Sequence, residues 1–278
     1  MIDLHLHTTA SDGRSTPDEL VREALAAGVR TMAVTDHDTI AGLEAAESAA
    51  RRAGLEFVRG IEITAVHGGR DVHMLGYFVD APDAAFLRFL DDQRHDRRRR
   101  VVAMIARLRD LGLRIDAGAL IDPAETRGGR AVGRPAIARA LMAAGHVASV
   151  GEAFERYVGE GMPAFVPRQG ASPEEVIAHL VRIGAVASMA HPGKMGQDAL
   201  LPALARAGMA AIEVFHPDHG DADVERYARH ARELGLLPTG GSDYHGPGSG
   251  RAGALGRVGL PRSAYEALAA HASRPRRA

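Results

Sequence analysis

Two histidines, one residue apart, open the chain with a spacing suited to metal binding. Between Ile2 and His7, apolar residues alternate with His5 and His7, a pattern typical of a β-strand. Alternate residues of a strand lie on one face, so we expect both imidazoles to point to the same place. Histidine is the most common protein ligand for transition metals. The pair alone is weak evidence, because short histidine motifs often arise by chance.

Further histidines and carboxylates occur where other predicted strands end. Together they form a candidate ligand set: His5, His7, Asp12, His37, Glu62, His73, His191, Asp243 and His245. A single zinc site uses three or four protein ligands, so this larger set predicts two or three ions. Imidazoles and carboxylates suit Mn²⁺, Zn²⁺ or Fe²⁺. Clustered divalent ions generate hydroxide near neutral pH and hold both oxygens of an in-line phosphoryl displacement, which predicts phosphoester hydrolysis.

The elements that must position these residues alternate between strand and helix. Helix starts are predicted at Thr16-Pro17-Asp18-Glu19 and Ser172-Pro173-Glu174-Glu175, where a capping hydroxyl precedes proline and glutamate. A hairpin is predicted at 66–79 around Gly68-Gly69. Such alternation favours parallel strands with outer helices, in a barrel or an open sheet. Because the candidate ligands lie at strand ends, where a barrel builds its active site, we predict an α/β barrel.

The pattern changes between residues 84 and 170, which show helical signals without strands or candidate ligands. We therefore predict a barrel of residues 1–83 and 171–278 that carries the metal site. A helical insertion of residues 84–170 would contribute to substrate binding. Its arginine-rich stretch Arg94–Arg100 is interpreted as the solvated face of a long helix, with binding of an RNA backbone as the alternative.

Composition excludes several classes of protein. The chain has 278 residues, of which 46% are hydrophobic and 25% charged, as in a soluble globular protein. Its net charge of −1 gives no overall field for nucleic acid. No apolar run approaches the roughly 18 residues needed to cross a bilayer, and the first predicted strand leaves no room for a signal peptide. The absence of cysteine excludes a disulfide framework and a thiolate nucleophile. We therefore expect a cytoplasmic protein without a membrane partner, while the oligomeric state stays open.

Seven motifs follow one another along the chain: His5-x-His7, Asp12-Gly13, Thr35-Asp36-His37-Asp38, Gly60-Ile61-Glu62, His73, Ala190-His191-Pro192 and Ser242-Asp243-x-His245. In this order they resemble the motif set of the PHP (polymerase and histidinol phosphatase) superfamily, and the TrpH/YciV-type metal-dependent phosphoesterases most of all. The resemblance covers nearly the whole chain. It implies a distorted (β/α)7 barrel with a helical insertion and a trinuclear centre, for which Mn²⁺ is the first expectation.

The resemblance also implies how the ions are held and what they do. It implies three ligand groups that share Glu62: His5, His7, Glu62 and Asp243; Glu62, His73 and His191; and Asp12, His37 and His245. A hydroxide bridging the ions would attack phosphorus, with Glu62 and His216 as catalytic residues. Relatives with this insertion remove the 3′-phosphate of nucleoside 3′,5′-bisphosphates, and some shorten 5′-phosphorylated oligoribonucleotides from the 5′ end. The implied partners are therefore a small nucleotide and, as a variant, short 5′-phosphorylated RNA.

Such substrates require cationic groups beside the metals. The candidate substrate-binding residues are Arg134, Arg139, Arg168, Lys194, His216 and His219. Arg134 and Arg139 lie in a segment that matches the family and would meet a 5′-phosphate bidentately. Lys194 is the only lysine of the chain. His216 would contact the scissile phosphate or protonate the leaving oxygen.

Other readings remain open. Ala136 and Gln169-Gly170 stand where many relatives have histidine and Tyr-Lys, so the substrate can differ while the metal chemistry stays the same. The same metals would serve histidinol phosphate or a cyclic sugar phosphate, although the long insertion and Arg134 argue against histidinol phosphate. A third hypothesis is a PHP module that binds metal for structure or docks on a polymerase. The complete ligand set argues against this hypothesis.

Overall fold

Seven strands form one sheet in chain order and nearly close it into a barrel. A computed structural model describes residues 1–121 and 131–274. The strands are β1 Ile2–Leu6, β2 Thr31–Val34, β3 Glu56–His67, β4 Arg70–Tyr77, β5 Val186–Met189, β6 Ala211–Phe215 and β7 Leu237–Gly240. A parallel bridge joins Leu6 to Tyr244, which brings β1 beside the chain that follows β7. The predicted α/β barrel is confirmed.

One strand of the barrel runs against the others. β4 is antiparallel to β3 and β5, whereas all other neighbouring strands are parallel. Gly68 and Gly69 make the turn between β3 and β4 with φ values of 57° and 78°, a region that glycine enters without steric cost. This hairpin, which the sequence predicts, distorts the barrel and sets Thr64 opposite His73.

Helices cover the outside of the barrel and build the region between β4 and β5. They are α1 Pro17–Ala26, α2 Leu43–Arg52, α3 Ala84–Asp110, α4 Gly118–Ile121, α5 Arg134–Ala143, α6 Val150–Ala153, α7 Pro173–Arg182, α8 Pro192–Met195, α9 Leu201–Arg206, α10 Asp221–Leu234 and α11 Arg262–Ala272. Both predicted capping boxes form, at Thr16 with Glu19 and at Ser172 with Glu175. Within residues 1–121 and 131–274, no helix combines the length and the apolar character that a membrane span requires.

Buried apolar side chains form separate clusters in the barrel and in the region between β4 and β5. Phe86 and Leu90, at the start of α3, pack with the barrel strands and with α7. Val101, Met104 and Leu108, further along α3, pack instead with residues of α5 and of the segment up to Ala164. α3 therefore links the barrel core to a second core. A division at residues 84 and 170 stays a prediction, and residues 122–130 of the predicted insertion lie outside the described residues.

The arginine-rich part of α3 is not a solvated face, so that prediction is wrong. Arg94 donates to the backbone carbonyl of Asp38 at 3.0 Å, Arg98 to that of Ile121 at 2.8 Å, and Arg100 to that of Val166 at 2.7 Å. Of the run from Arg97 to Arg100, Arg99 is the mainly exposed side chain, at 71%. The sequence does not reveal these hydrogen bonds, because the acceptors lie 56, 23 and 66 residues away along the chain.

Candidate metal centre

All nine predicted metal ligands converge at one end of the barrel. They lie on β1 and the loop after it, after β2, on β3 and β4, and after β5 and β7. Most are buried, and the rings of His73 and His245 are each about 20% exposed. Parallel strands bring their carboxyl ends to one edge of a barrel, and the β3–β4 hairpin returns His73 to the same place.

Glu62 lies at the centre of this cluster. Its Oε2 is 3.4 Å from Nε2 of His5, 3.3 Å from Nε2 of His7 and 3.2 Å from Nδ1 of His37. Its Oε1 faces two further imidazoles, at 2.8 and 3.2 Å, which belong to His73 and His191. A carboxylate with imidazoles on both oxygens has the arrangement of a ligand shared between ions.

The candidate ligand atoms form overlapping groups in which all atoms lie within 4.8 Å of one another. The groups are His7, Asp12, His37 and His245; His5, Glu62 and His191; His5, His7 and Asp243; and His37, Glu62 and His73. The first contains the whole predicted set of Asp12, His37 and His245 and adds His7. The other groups differ from the predicted sets. His5 lies with Glu62 and His191, and His37 lies with Glu62 and His73. Several ions fit this arrangement, and the predicted division into three sets stays a prediction.

Buried polar atoms of the cluster have no hydrogen-bond partner. They include Nε2 of His5, both ring nitrogens of His7, Nδ1 of His37 and Oε2 of Glu62. Leaving such a group unpaired costs about 1–3 kcal/mol. Divalent ions between these atoms would satisfy them, and a donor set of imidazoles and carboxylates fits Mn²⁺, Zn²⁺ or Fe²⁺. The residues present therefore fit a metal centre.

The pKa shifts at the cluster favour the metal-binding form of its carboxylates and of two of its imidazoles. Burial opposes ionisation of Glu62, but the surrounding histidines outweigh it and hold the pKa of this carboxyl well below its usual range. The same balance lowers the pKa values of Asp12 and Asp243. Burial lowers the pKa of His37 to about 3 and that of His191 to about 4. These two imidazoles are therefore neutral at pH 7, the form that binds metal ions. For His5 and His7, burial lowers the pKa, but the neighbouring carboxylates outweigh it and raise both values, that of His7 to about 10.

Glu213 on β6 orients two of the predicted ligands. Nδ1 of His5 donates to its Oε1 at 2.9 Å, and the backbone N–H of His191 donates to its Oε2 at 2.7 Å. Such an outer carboxylate fixes the ring so that the other nitrogen, Nε2 of His5, faces the cluster. This role was not predicted from the sequence, although a carboxylate within the apolar strand Ala211–Phe215 is a signal for it.

Backbone strain is concentrated at the site. Asp38, His191 and Asp243 have φ values of 51°, 27° and 51°, which are uncommon for residues other than glycine. Each such conformation costs about 1–3 kcal/mol and persists where the surroundings enforce it. The bond from His191 to Glu213 is one such constraint.

His216 and His219 both lie beside the cluster and differ in what their rings contact. The backbone N–H of Asp218 donates to Nδ1 of His216 at 3.1 Å, so the ring hydrogen lies on Nε2, which is 3.4 Å from Oδ2 of Asp243. In His219, Nδ1 donates to the carbonyl of Val214 at 2.9 Å, and Nε2 accepts from Gly193 at 3.1 Å. Both nitrogens of His219 are thus used by the backbone. Contact of either histidine with substrate stays a prediction.

A cavity of about 430 Å³ separates the ligand cluster from α3 and α5. Its wall includes three of the predicted substrate residues, Arg134, Arg168 and Lys194. Arg134 donates to Oδ2 of Asp71 at 3.0 Å and lies over the rings of Phe154 and Phe165, with its Cζ 5.6 and 5.7 Å from the ring centroids. This half-buried guanidinium faces a space large enough for a small organic phosphate.

The remaining predicted cations differ in exposure and contacts. Arg168 is almost fully buried and donates to Oδ2 of Asp38 at 2.9 Å, with Asp96 at 3.4 Å. Arg139 contacts the backbone carbonyl of Asp12 at 3.5 Å, beside the ligand loop. Lys194 is exposed on α8, three residues after His191. Their substrate roles stay predictions.

Three further charged residues at the site were missed from the sequence. Arg97 and Arg100 of α3 line the cavity, and Arg100 donates to Oδ2 of Asp71 at 3.2 Å. Arg251 places its Nε 3.4 Å from Oδ2 of Asp243 and also pairs with Asp218. The spacing of three between Arg94, Arg97 and Arg100 was the available signal, because it puts these side chains on one helix face.

The geometry matches a known group of proteins. A family model of the PHP domain matches residues 3–116. Over 90% of its length, the chain is 35% identical to the 3′,5′-nucleoside bisphosphate phosphatase of Chromobacterium violaceum, of which it covers 88%. The chain belongs to the PHP family.

Two further comparisons extend this PHP assignment over the whole chain. A 5′-3′ exoribonuclease of Haemophilus influenzae is 35% identical over 88% of the chain and 90% of the relative. A predicted metal-dependent phosphoesterase of Bifidobacterium adolescentis has a solved structure that superposes with a TM-score of 0.86, at 32% identity, covering 96% of this chain and 95% of the other. The PHP likeness therefore includes the region between β4 and β5.

Divalent ions are expected to stabilise this PHP chain against unfolding. After removal of metal with EDTA, Mn²⁺ at a hundred times its dissociation constant should add about 3 kcal/mol, which raises the melting temperature by about 5–10 °C. The reason is that the ions satisfy the unpaired atoms of the native cluster. In a His7→Gln variant, most of this increase in melting temperature should be lost. A His95→Gln variant, changed at an exposed position on α3, should show the full increase. A melting temperature indifferent to Mn²⁺, Zn²⁺ and Fe²⁺ would contradict the metal centre.

Proposed function

We propose that this PHP protein is a metal-dependent phosphoesterase that removes the 3′-phosphate from nucleoside 3′,5′-bisphosphates. The observation that carries the proposal is the cavity itself, whose wall contains residues of the ligand cluster around Glu62 together with Arg134. A substrate with two phosphates suits a site in which one phosphate meets metals and the second meets a guanidinium. The similarity to a nucleoside bisphosphate phosphatase supports the same substrate class.

The residues of the ligand cluster would hold the ions and orient them. Divalent ions, when bound, stabilise charge on the phosphoryl oxygens and supply a strong nucleophile from water at neutral pH. Glu62 would join the ions because both of its oxygens face imidazoles. Glu213 would keep His5 in the orientation that presents Nε2 to the cluster.

His216 would donate a hydrogen bond to an oxygen of the scissile phosphate. The backbone of Asp218 occupies Nδ1 of this ring, so the hydrogen on Nε2 is the one available for donation. The ring is buried beside Asp243, at the edge of the ligand cluster. A neutral imidazole held in this way is suited to stabilise charge on a phosphoryl oxygen, since its orientation is fixed before substrate binds, and water would protonate the leaving 3′-oxygen.

Arg134 would bind the phosphate that is not cleaved. Its guanidinium is held by Asp71 and by two aromatic rings, which leaves donors for bidentate contact with a phosphate. Lys194, on the same cavity wall, would add a second positive charge to the site. Strong binding of a substrate would then require a 5′-phosphate.

Removal of 5′-nucleotides from 5′-phosphorylated RNA is a second candidate activity. It uses the same chemistry, because the bond that breaks is again at the phosphorus on the 3′-oxygen of the first nucleoside. The similarity to an exoribonuclease over 88% of the chain favours it. The rest of an RNA chain would have to leave the cavity through its open side.

The function is tested by phosphate release with added Mn²⁺ from a panel of phosphoesters. The panel contains adenosine 3′,5′-bisphosphate, AMP, histidinol phosphate and a ribose cyclic phosphate, with a 5′-phosphorylated RNA oligomer analysed for released nucleotides. We expect rapid release from the bisphosphate and little from AMP. Hydrolysis of the cyclic or histidinol phosphate alone would reject the bisphosphate assignment and keep the PHP phosphoesterase chemistry.

Arg134→Ala is expected to raise KM for adenosine 3′,5′-bisphosphate by about 10- to 100-fold, because a charge-assisted hydrogen bond contributes about 1.5–3 kcal/mol. KM for 3′-AMP, which lacks the 5′-phosphate, should change little. Steady-state kinetics with both substrates measures the difference. Arg99→Ala removes an exposed arginine of α3 and serves as the control. An equal rise for both substrates would refute the role of Arg134.

A further inference from the structure

Asp38, the residue after the predicted ligand His37, forms hydrogen bonds and ion pairs with several elements. Asp38 is fully buried, and its Oδ1 accepts the backbone N–H of Thr64 at 2.9 Å. Its own N–H donates to the carbonyl of Glu62 at 2.8 Å. Its left-handed φ of 51° is enforced by these bonds. A displacement of Asp38 would therefore move the backbone next to both His37 and Glu62.

Three arginines from the region between β4 and β5 converge on Asp38. Arg94 donates to its carbonyl at 3.0 Å, Arg168 donates to its Oδ2 at 2.9 Å, and Arg97 pairs with the same oxygen. Arg97 also donates to Oγ1 of Thr64 at 2.7 Å. Burial raises the pKa of the Asp38 carboxyl, and Arg168 and Arg97 outweigh it and hold that pKa below its usual range. The carboxylate is thus charged and paired on the inner side of α3.

The carboxylate on the other side of His37 has different partners. Asp36 accepts the backbone N–H of Thr8 at 2.7 Å and the hydroxyl of Thr8 at 2.6 Å, and it also accepts the hydroxyl of Ser11. These partners belong to the loop after β1. Asp36 therefore ties His37 to the barrel, whereas Asp38 ties it to α3 and to Arg168.

The same side of α3 forms part of the cavity wall. Arg97 and Arg100 line the cavity together with residues of the ligand cluster, and Arg97 contacts Asp38 directly. His37 is therefore connected to this wall through the next residue, Asp38, and the buried ion pair that Asp38 forms with Arg97. Removal of either partner of this ion pair affects the other, because it leaves an uncompensated buried charge.

We propose that Asp38 couples metal binding at His37 to the order of α3 at the cavity wall. Metal that engages His37 fixes the loop that carries Asp38, and the loop fixes Arg97 and Arg168. By thermodynamic reciprocity, the arginines in turn hold His37 in position for metal. Arg97 and Arg168 are then positioning residues. The inference rests on the metal centre of the proposed function and on no particular substrate.

The test is amide hydrogen exchange on the whole metal-free chain, with and without Mn²⁺. In the wild type, Mn²⁺ should protect peptides that cover β1, the His37 loop and residues 93–100 of α3. In Asp38→Asn, β1 should keep its protection, residues 93–100 should lose theirs, and the Mn²⁺ concentration for half protection at His37 should rise about tenfold or more. Asp83→Asn, at the exposed cap of α3, is the matched control and should behave as the wild type.

The outcomes separate this inference from the metal centre itself. Wild-type protection of β1 without protection of residues 93–100 would overturn the coupling and leave the metal centre intact. Identical Mn²⁺ dependence in Asp38→Asn and wild type would also overturn it, since a merely structural role lowers stability without changing that dependence. No Mn²⁺-dependent protection anywhere would overturn both proposals. If Asp38→Asn fails to fold, Arg97→Gln should show the same loss at residues 93–100, with Arg99→Gln as its control.

Discussion

Glu62→Gln is expected to lower the turnover of adenosine 3′,5′-bisphosphate by about a thousandfold or more, because shared metal ions contribute several kcal/mol of transition-state stabilisation. Glutamine keeps the size of the side chain and removes the charge that faces imidazoles on both oxygens. Metal content by mass spectrometry should fall together with kcat. Five candidate ligands, His5, His7, His37, His73 and His191, each have a ring nitrogen within 3.4 Å of a carboxylate oxygen of Glu62.

Glu213→Gln is the matched control for Glu62→Gln. It is the same substitution at a buried glutamate that contacts His5 and the backbone of His191 and belongs to none of the candidate ligand groups of the described residues. We expect a loss of about 10- to 100-fold in metal affinity or activity, as for other outer carboxylates. Equal effects of the two substitutions would contradict the shared position assigned to Glu62.

Asp243→Asn is expected to reduce turnover by about a hundredfold or more while the chain remains folded, since it removes one charged ligand from the centre. Oδ1 of Asp243 lies 3.4 Å from Nε2 of His7 and 3.5 Å from Nε2 of His5. Excess Mn²⁺ should restore part of the activity, because the loss is one of affinity. Kinetics as a function of Mn²⁺ concentration, with circular dichroism to verify folding, measures both effects.

Asp218→Asn provides the comparison for Asp243→Asn. Asp218 shares Arg251 with Asp243, but its contact with His216 is made by its backbone N–H, which the substitution keeps. Turnover should therefore change by only a few-fold. Unchanged turnover in Asp243→Asn, or an equal loss in both variants, would reject Asp243 as a metal ligand.

The convergence of the candidate metal ligands could be predicted from sequence because local patterns determine their positions. Each candidate lies at or just after a strand, and strand ends of a barrel meet at one edge. The glycine pair at 68–69 predicts the hairpin that carries His73 back to Glu62, and the capping boxes at Thr16 and Ser172 mark helix starts. Those signals act over a few residues, so sequence alone reveals them.

The surroundings of the ligands could not be predicted, because they depend on contacts between distant residues. Arg97 and Arg168 pair with Asp38 across 59 and 130 residues, and no local pattern distinguishes such arginines from a solvated face. The ring nitrogens of His219 are likewise used by backbone groups that only the fold brings close. The grouping of ligands around Glu62 depends on side-chain positions and differs in part from the implied sets.

In the proposed function, one site combines metal chemistry with recognition of a second phosphate. The barrel supplies the ligands, and α3 and α5 supply the cationic wall with Arg134. Asp38 and Asp71 link the two through buried or half-buried ion pairs. If the proposed function is correct, both the site of cleavage and the need for metal follow from this geometry.

The most direct test is ³¹P NMR of adenosine 3′,5′-bisphosphate incubated with the metal-free enzyme, sampled before Mn²⁺ is added and again afterwards, once the reaction has been quenched and the metal removed. We predict inorganic phosphate and 5′-AMP as the products, with no reaction in the metal-free sample and none in a parallel reaction with Glu62→Gln. Formation of 3′-AMP, or release of phosphate without metal, would contradict the account.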